Sequence, residues 1–190
     1  MVKNLLIAIL FALTSLISSS ALALKTDIHG PEIKIKDNDI IVSTGLSNLE
    51  EIESAIKSGI EKEMLFTIEL FRVWRFWPDE FVLSKKIQRI IKYDNLRARY
   101  LTSSYDGTSQ SQRIFTDFDA MKTWAFRVTD INLANIKELE RGNYYIRVVV
   151  ESKSRELPRV IGLLMLFIPE TEMSLAKESK PVFISTGYNK

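Results

Sequence analysis

Few side chains in this sequence could make or break bonds, and their spacing assigns most of them to other work. His29 is the only histidine, and it stands ahead of the first regular element, where nothing would hold a catalytic base in place. Cysteine is absent, so thiol nucleophiles, zinc clusters and disulfide frameworks lack their raw material. One histidine cannot build a triad or a multi-histidine metal centre. Carboxylates come as close pairs at Asp37/Asp39 and Asp117/Asp119. The first pair brackets a tight turn and the second opens a helix, positions where aspartate accepts from backbone N–H groups. A glycosidase or an all-carboxylate metal site built from them is the weaker reading. Gly59, Gly107, Gly142 and Gly162 stand singly, so there is no phosphate-cradling loop. The expectation is a non-enzyme with no cofactor and no metal.

Binding chemistry is better represented. Residues 24–71 hold five basic and ten acidic side chains, whereas residues 72–100 hold eight basic and three acidic ones. The basic stretch interleaves Arg72, Arg75, Arg97 and Arg99 with Trp74, Trp77, Tyr93 and Tyr100. Cations and aromatic faces together suit an anionic envelope component, a lipid head group or an acidic protein surface. The candidate binding set is Arg72, Trp74, Arg75, Trp77, Arg97, Arg99 and Tyr100. The competing reading is plain strand alternation, with aromatics inward, cations in water, and the acidic third folded against the basic middle. No Lys/Arg-rich run makes nucleic acid a sensible partner.

The elements that must position these residues are mostly strands. With 46% hydrophobic and 26% charged residues, the chain can bury a core. Lys3, the apolar stretch Leu5–Ile17 and the small residues up to Ala21-Leu22-Ala23 read as a signal peptide over 1–23 with an A-x-A cleavage site. The apolar stretch is shorter than the roughly 20 residues that cross a bilayer. Export to a bacterial periplasm is the expected address, with no transmembrane segment after cleavage. Residues 24–30 are expected to be a flexible N-terminal segment, and 31–188 a single mainly β domain.

Within that domain, Glu32–Lys36, the turn Asp37-Asn38-Asp39 and Ile40–Ser43 spell a hairpin. Ser47-Asn48-Leu49-Glu50 matches a capping box, opening a helix over 48–58 with Leu49, Ile52 and Ile56 on one face and Gly59 as its left-handed stop. From 60 to 77 a period near two points Phe66, Ile68, Leu70, Trp74 and Phe76 one way, against Thr67, Glu69 and Arg75. Residues 81–93 fit a strand or a helix, with strand preferred. Leu96, Ala98 and Tyr100 alternate with Arg97 and Arg99 as a further strand after a Tyr93-Asp94-Asn95 turn. Residues 103–112 read as a loop. Thr116 or Asp117 caps a helix whose Phe118, Met121, Trp124 and Ala125 share a face, and 126–136 is a strand. Tyr144, Ile146, Val148 and Val150 alternate through another strand after a turn at 140–143. The apolar element 160–168, between Pro158 and Pro169, is either a core helix or a flap that touches lipid or a partner. The tail offers one strand, at 173–177 or 182–185. The sum is an antiparallel β-sandwich, immunoglobulin-like or C2-like, with two or three short helices.

Gly59, Ile68-Glu69-Leu70 and Trp74, the block Tyr93-Asp94-Asn95-Leu96-Arg97-Ala98-Arg99-Tyr100, and Gly142-Asn143-Tyr144-Tyr145-Ile146-Arg147-Val148 followed by Leu157-Pro158 together resemble a bacterial exported family, domain of unknown function 4390. The chain departs from it at Met173-Ser174-Leu175, where a tryptophan is expected. The resemblance implies a signal peptide, a periplasmic or envelope-associated domain, and neighbourhood with membrane sensor kinases of nitrogen-regulation type. It carries no activity and no site residues. Two functions follow as expectations: an accessory or binding module that presents a sheet face or edge to an envelope protein, a sensor kinase among the candidates, or a carrier or chaperone for an apolar, lipid-like ligand. An enzyme ranks third.

Overall fold

A computed structural model describes residues 25–154 and 171–185. The leader 1–23 and the apolar element 160–168 lie outside the described residues. The alternating segments become antiparallel strands in two sheets. In the smaller sheet, β1 (Asp27–Lys36) and β2 (Asp39–Ser47) form the expected hairpin. Asp37 and Asn38 carry it with φ of 53° and 69°, the positive values that let a two-residue turn follow the twist of its strands.

After β2 come α1 (Glu50–Lys57), β3 (Lys62–Val73), β4 (Glu80–Asp94), β5 (Arg99–Tyr105), β6 (Gln110–Phe115), α2 (Phe118–Ala125), β7 (Arg127–Asn135), β8 (Gly142–Ser154), β9 (Met173–Glu178) and β10 (Val182–Ile184). Strand β7 completes the smaller sheet beside β2. The larger sheet runs β10-β8-β3-β4-β5-β6, with β9 also pairing β8. This is the mainly β, sandwich-like architecture expected from the sequence.

The core forms because the strands alternate in register. Phe66 pairs with Val150, Ile68 with Val148 and Leu70 with Ile146, and all six are buried. They join Ile28, Ile40, Val42 and Val128 of the smaller sheet in one apolar cluster. Each such side chain contributes about 1.5–3 kcal/mol on leaving water. The two helices close the cluster with Leu49, Ile52 and Ile56 at α1, and Met121 and Ala125 on α2. Gly59 ends α1 as expected: at φ 92° its N–H donates to the Ile56 carbonyl (2.9 Å), and that of Ile60 to Ala55 (3.1 Å), the paired bonds of a left-handed helix stop.

Several expectations are corrected. Residues 24–30 are not a flexible segment throughout, because β1 begins at Asp27, Ile28 is 1% exposed, and Lys177 Nζ donates to the Ile28 carbonyl (2.5 Å). The Ser47–Glu50 capping box does not form. Pairing of Ser47 with Asp27 keeps Ser47 in β2, its Oγ donates to the Asp27 carbonyl (3.2 Å), and the helix starts after Leu49 without a side-chain cap. The strand expected over 60–77 stops at Val73, where its partners end at Asn143 and Glu80. The strand expected from Leu96 starts at Arg99, since Asp94 Oδ1 accepts from the N–H groups of Leu96 and Arg97 (3.2 Å each) and winds them into a turn. The loop expected at 103–112 is the β5–β6 hairpin. Its turn hangs on the Asp106 carboxylate, which accepts from Thr108 N–H (3.0 Å), Thr108 Oγ1 (2.9 Å), Ser109 N–H (2.8 Å) and Ser109 Oγ (3.0 Å). Residues 81–93 are strand, and both tail segments are strands.

Candidate functional site

The hairpin joining β3 to β4 carries the densest group of candidate residues. Once β3 has ended, Trp74, Arg75, Phe76 and Trp77 have no strand partner and no core position among the described residues. Pro78 cannot extend a ladder, and Asp79 Oδ1 accepts from Trp74 N–H (3.2 Å) to close the turn. The aromatic rings therefore stand in solvent: Phe76 is 83% exposed, Trp77 77% and Trp74 41%.

Behind this tip the side chains are fixed. The Arg72 guanidinium lies 4.2 Å from the Trp74 ring, its Nη1 pairs with Glu140 at 2.6 Å, and its Nη2 donates to the Arg141 carbonyl (3.2 Å). Trp74 Nε1 donates to Glu80 (3.1 Å). On the outer face of the larger sheet, Phe71 stacks on Tyr145 (5.3 Å) and meets Phe81 edge-on (5.7 Å). Arg147 covers Phe71 at 4.7 Å and donates to Glu69 (2.7 Å), a bond that holds its charge firmly. Burial, reinforced by the carboxylates of Asp79 and Glu178, raises the Tyr145 phenol above its ordinary pKa, so Tyr145 is a neutral packing surface. Phe183, half-exposed on β10, sits under Arg141 (5.5 Å).

The seven sequence candidates do not form one face. Arg72, Trp74, Arg75 and Trp77 meet at the tip. Arg97, Arg99 and Tyr100 lie past the other end of β4, where Asp94 pairs with Arg99, about 45 Å away along the strand at ~3.3 Å per residue. There Arg97 and Arg99 both turn to Asp94 (3.5 and 3.8 Å). Tyr100 is buried, its ring against Tyr93 (4.7 Å) and Phe118 (5.6 Å), and burial raises its phenol pKa. Phe76, Phe81 and Phe183 belong to the tip surface and are absent from the sequence candidates. A readable signal for Phe76 was its place in an aromatic run directly before Pro78-Asp79, since a turn has no inward face to receive it.

The carboxylate pairs do structural work. Asp39 accepts from Asn132 and Asn135 (2.8 Å each), and Asp117 caps α2 through Ala120 N–H (2.8 Å). The His29 side chain is 66% exposed, 4.0 Å from Glu32. Among the described residues no group of three or more His, Asp or Glu side chains is placed to hold a metal ion, and no helix is long and apolar enough to cross a membrane.

No curated protein and no solved structure matches the chain. The family model described as domain of unknown function (DUF4390) does match, over residues 24–179, a span that contains the hairpin tip and most of both sheets, and the chain belongs to that family.

Proposed function

We propose that this protein is an exported, non-enzymatic binding or accessory module of the bacterial envelope, and that the β3–β4 tip is its contact surface for another envelope protein. The observation that carries the reading is the exposure of Phe76 and Trp77 on a turn whose base is held by Arg72, Glu80 and Glu140. Protein interfaces concentrate binding energy in tryptophan, tyrosine and arginine anchors presented on a fixed base. A rigid base also lowers the ordering cost of association. Export rests on the Lys3, Leu5–Ile17 and Ala21–Ala23 pattern. A membrane sensor is the partner class suggested by the family resemblance.

Among the described residues the apolar gap between the sheets, lined by Ile33, Ile40, Leu70 and Ile146 among others, is about 10 Å³, far below the several hundred Å³ that ligand sites use. A hollow of about 250 Å³ beside Ile52, Met173 and Leu175 is lined also by Lys25, Glu51, Lys62 and Glu172, a charged wall that suits an apolar ligand poorly. Both favour contact through the outside over carriage of an apolar ligand. The test is retention of the purified protein on native envelope fractions. Phe76→Ser with Trp77→Ser should lower retention at least roughly tenfold while leaving the melting temperature unchanged. Equal retention of wild type and variant contradicts the reading.

A further inference from the structure

The alternation of β4 puts a charge where the pattern calls for an apolar residue. Ile87, Arg89 and Ile91 share the inner face, and both isoleucines are buried. Arg89 is half-buried between the larger sheet and the C-terminal end of α2. Its Nη1 donates to the Trp124 carbonyl, one of the helix-end carbonyls that lack an intrahelical donor and sit at the negative end of the helix dipole. Its guanidinium lies 4.2 Å from the Trp124 ring. Its Nε is buried with no hydrogen-bond partner.

A second cation faces the same ring. Arg113 on β6 pairs with Thr102, a buried inner-face residue, and its guanidinium is 5.4 Å from the Trp124 ring. Arg113 is exposed, so the cluster opens to solvent on that side. Phe115 flanks the indole at 5.8 Å. The pairs Arg89–Ser104 and Ser104–Ser111 continue the inner face outward with hydroxyls.

Among the described residues neither guanidinium has a carboxylate within ion-pair distance. Burying a charge without a counter-charge costs several kcal/mol, and a second like charge nearby adds to that. Both costs register on Arg89, which burial and then Arg113 push down to about 10. Guanidinium forks match planar and tetrahedral oxyanions, and an aromatic plate holds the fork in orientation.

We propose that Arg89 and Arg113, held against Trp124, form a binding site for a phosphate-type oxyanion, either free phosphate or the phosphate of a lipid head group. The oxyanion would enter from the exposed Arg113 side and lie against the two guanidinium groups that face Trp124, supplying a negative charge that the described residues do not.

The chain has three tryptophans, so Trp74→Phe with Trp77→Phe leaves Trp124 as the sole indole reporter. In that background, inorganic phosphate added at constant ionic strength, against a chloride control, should change Trp124 emission saturably. A parallel arm uses phosphatidylcholine vesicles with and without phosphatidic acid. Response to inorganic phosphate assigns the free ion, and response only to phosphatidic acid vesicles assigns the head group. In either arm Arg113→Gln, at an exposed position, should raise the half-saturation point roughly tenfold, and Arg89→Gln should abolish the response. If Arg89→Gln does not fold, Arg113→Gln decides. No response in either arm, a response matched by chloride, or one unchanged by Arg113→Gln overturns the proposal.

Discussion

Arg72 and Arg89 carry the same charge against tryptophan rings at the same 4.2 Å, and their surroundings give them opposite roles. Arg72 is neutralised by Glu140 and braces the hairpin, whereas Arg89 has a carbonyl, an indole and no acid. A charge half out of water with no counter-charge among the described residues weakens the fold. In phosphate-free buffer Arg89→Leu is therefore expected to stabilise the protein by about 1 kcal/mol or more, read from denaturant unfolding. A loss of stability would show that stacking on Trp124 outweighs the unpaired charge. Asp106 gives a residue-scale prediction about acid. Its hydrogen bonds from the backbone and side chains of Ser109 and Thr108 hold its pKa well below the ordinary 3.8. A depressed carboxylate contributes stability that is present above 3.8 and lost as pH falls below it. Unfolding followed into acid should show this loss in the wild type and a shallower one in Asp106→Asn. The Asp117 cap was legible from sequence because capping chemistry is local. His29 was misplaced as a residue ahead of the first element, since β1 already contains it and pairs it with Gly45, and Asp39 serves the side chains of Asn132 and Asn135, which only the β2–β7 pairing brings near. Arg89 was not, because a lysine- and arginine-rich strand read on its own sends its cations outward.

At the scale of elements, the helices and central strands were legible because a buried face leaves a period in the sequence. The Leu49/Ile52/Ile56 and Phe66/Ile68/Leu70 sets landed inside as read. Gly59→Ala should cost about 1 kcal/mol, since the new side chain must adopt φ 92° with its Cβ 3.2 Å from Asn95. Asp117→Ala should cost about as much by removing the α2 cap. Thermal or chemical denaturation checks both, and an unchanged midpoint for either variant would contradict the capping assignments. The β5–β6 hairpin left no period, because Ser103, Ser104, Ser111 and Gln112 are polar on both faces and its pairing is set by backbone bonds and the Asp106 turn. At Ser47 and Asp94 two local rules competed. Strand pairing defeated the capping box at the first, and a side-chain turn defeated alternation at the second.

Across the whole molecule, the near-balance of charge arises partly between segments and partly within them. Glu61 of the acidic third pairs with Lys92 of the basic stretch (3.9 Å). Arg97 and Arg99, by contrast, turn to Asp94 of their own segment. The basic middle of the sequence is thus drawn out along β4, with one cluster at each end, and only the β3–β4 end projects aromatic rings into solvent as a group. The chain enters the described fold at Lys25, beside Lys62 and Glu172, at the other end of β3 from the tip, about 36 Å away at ~3.3 Å per residue. The measurement that tests the central claim most directly is site-specific photo-crosslinking in intact cells, with the photoreactive residue at Trp77 or, as a control, at the exposed Ile114 on β6. The account predicts a discrete envelope-protein adduct from position 77 and none from position 114. Only bulk proteins, or the same products from both positions, would contradict it.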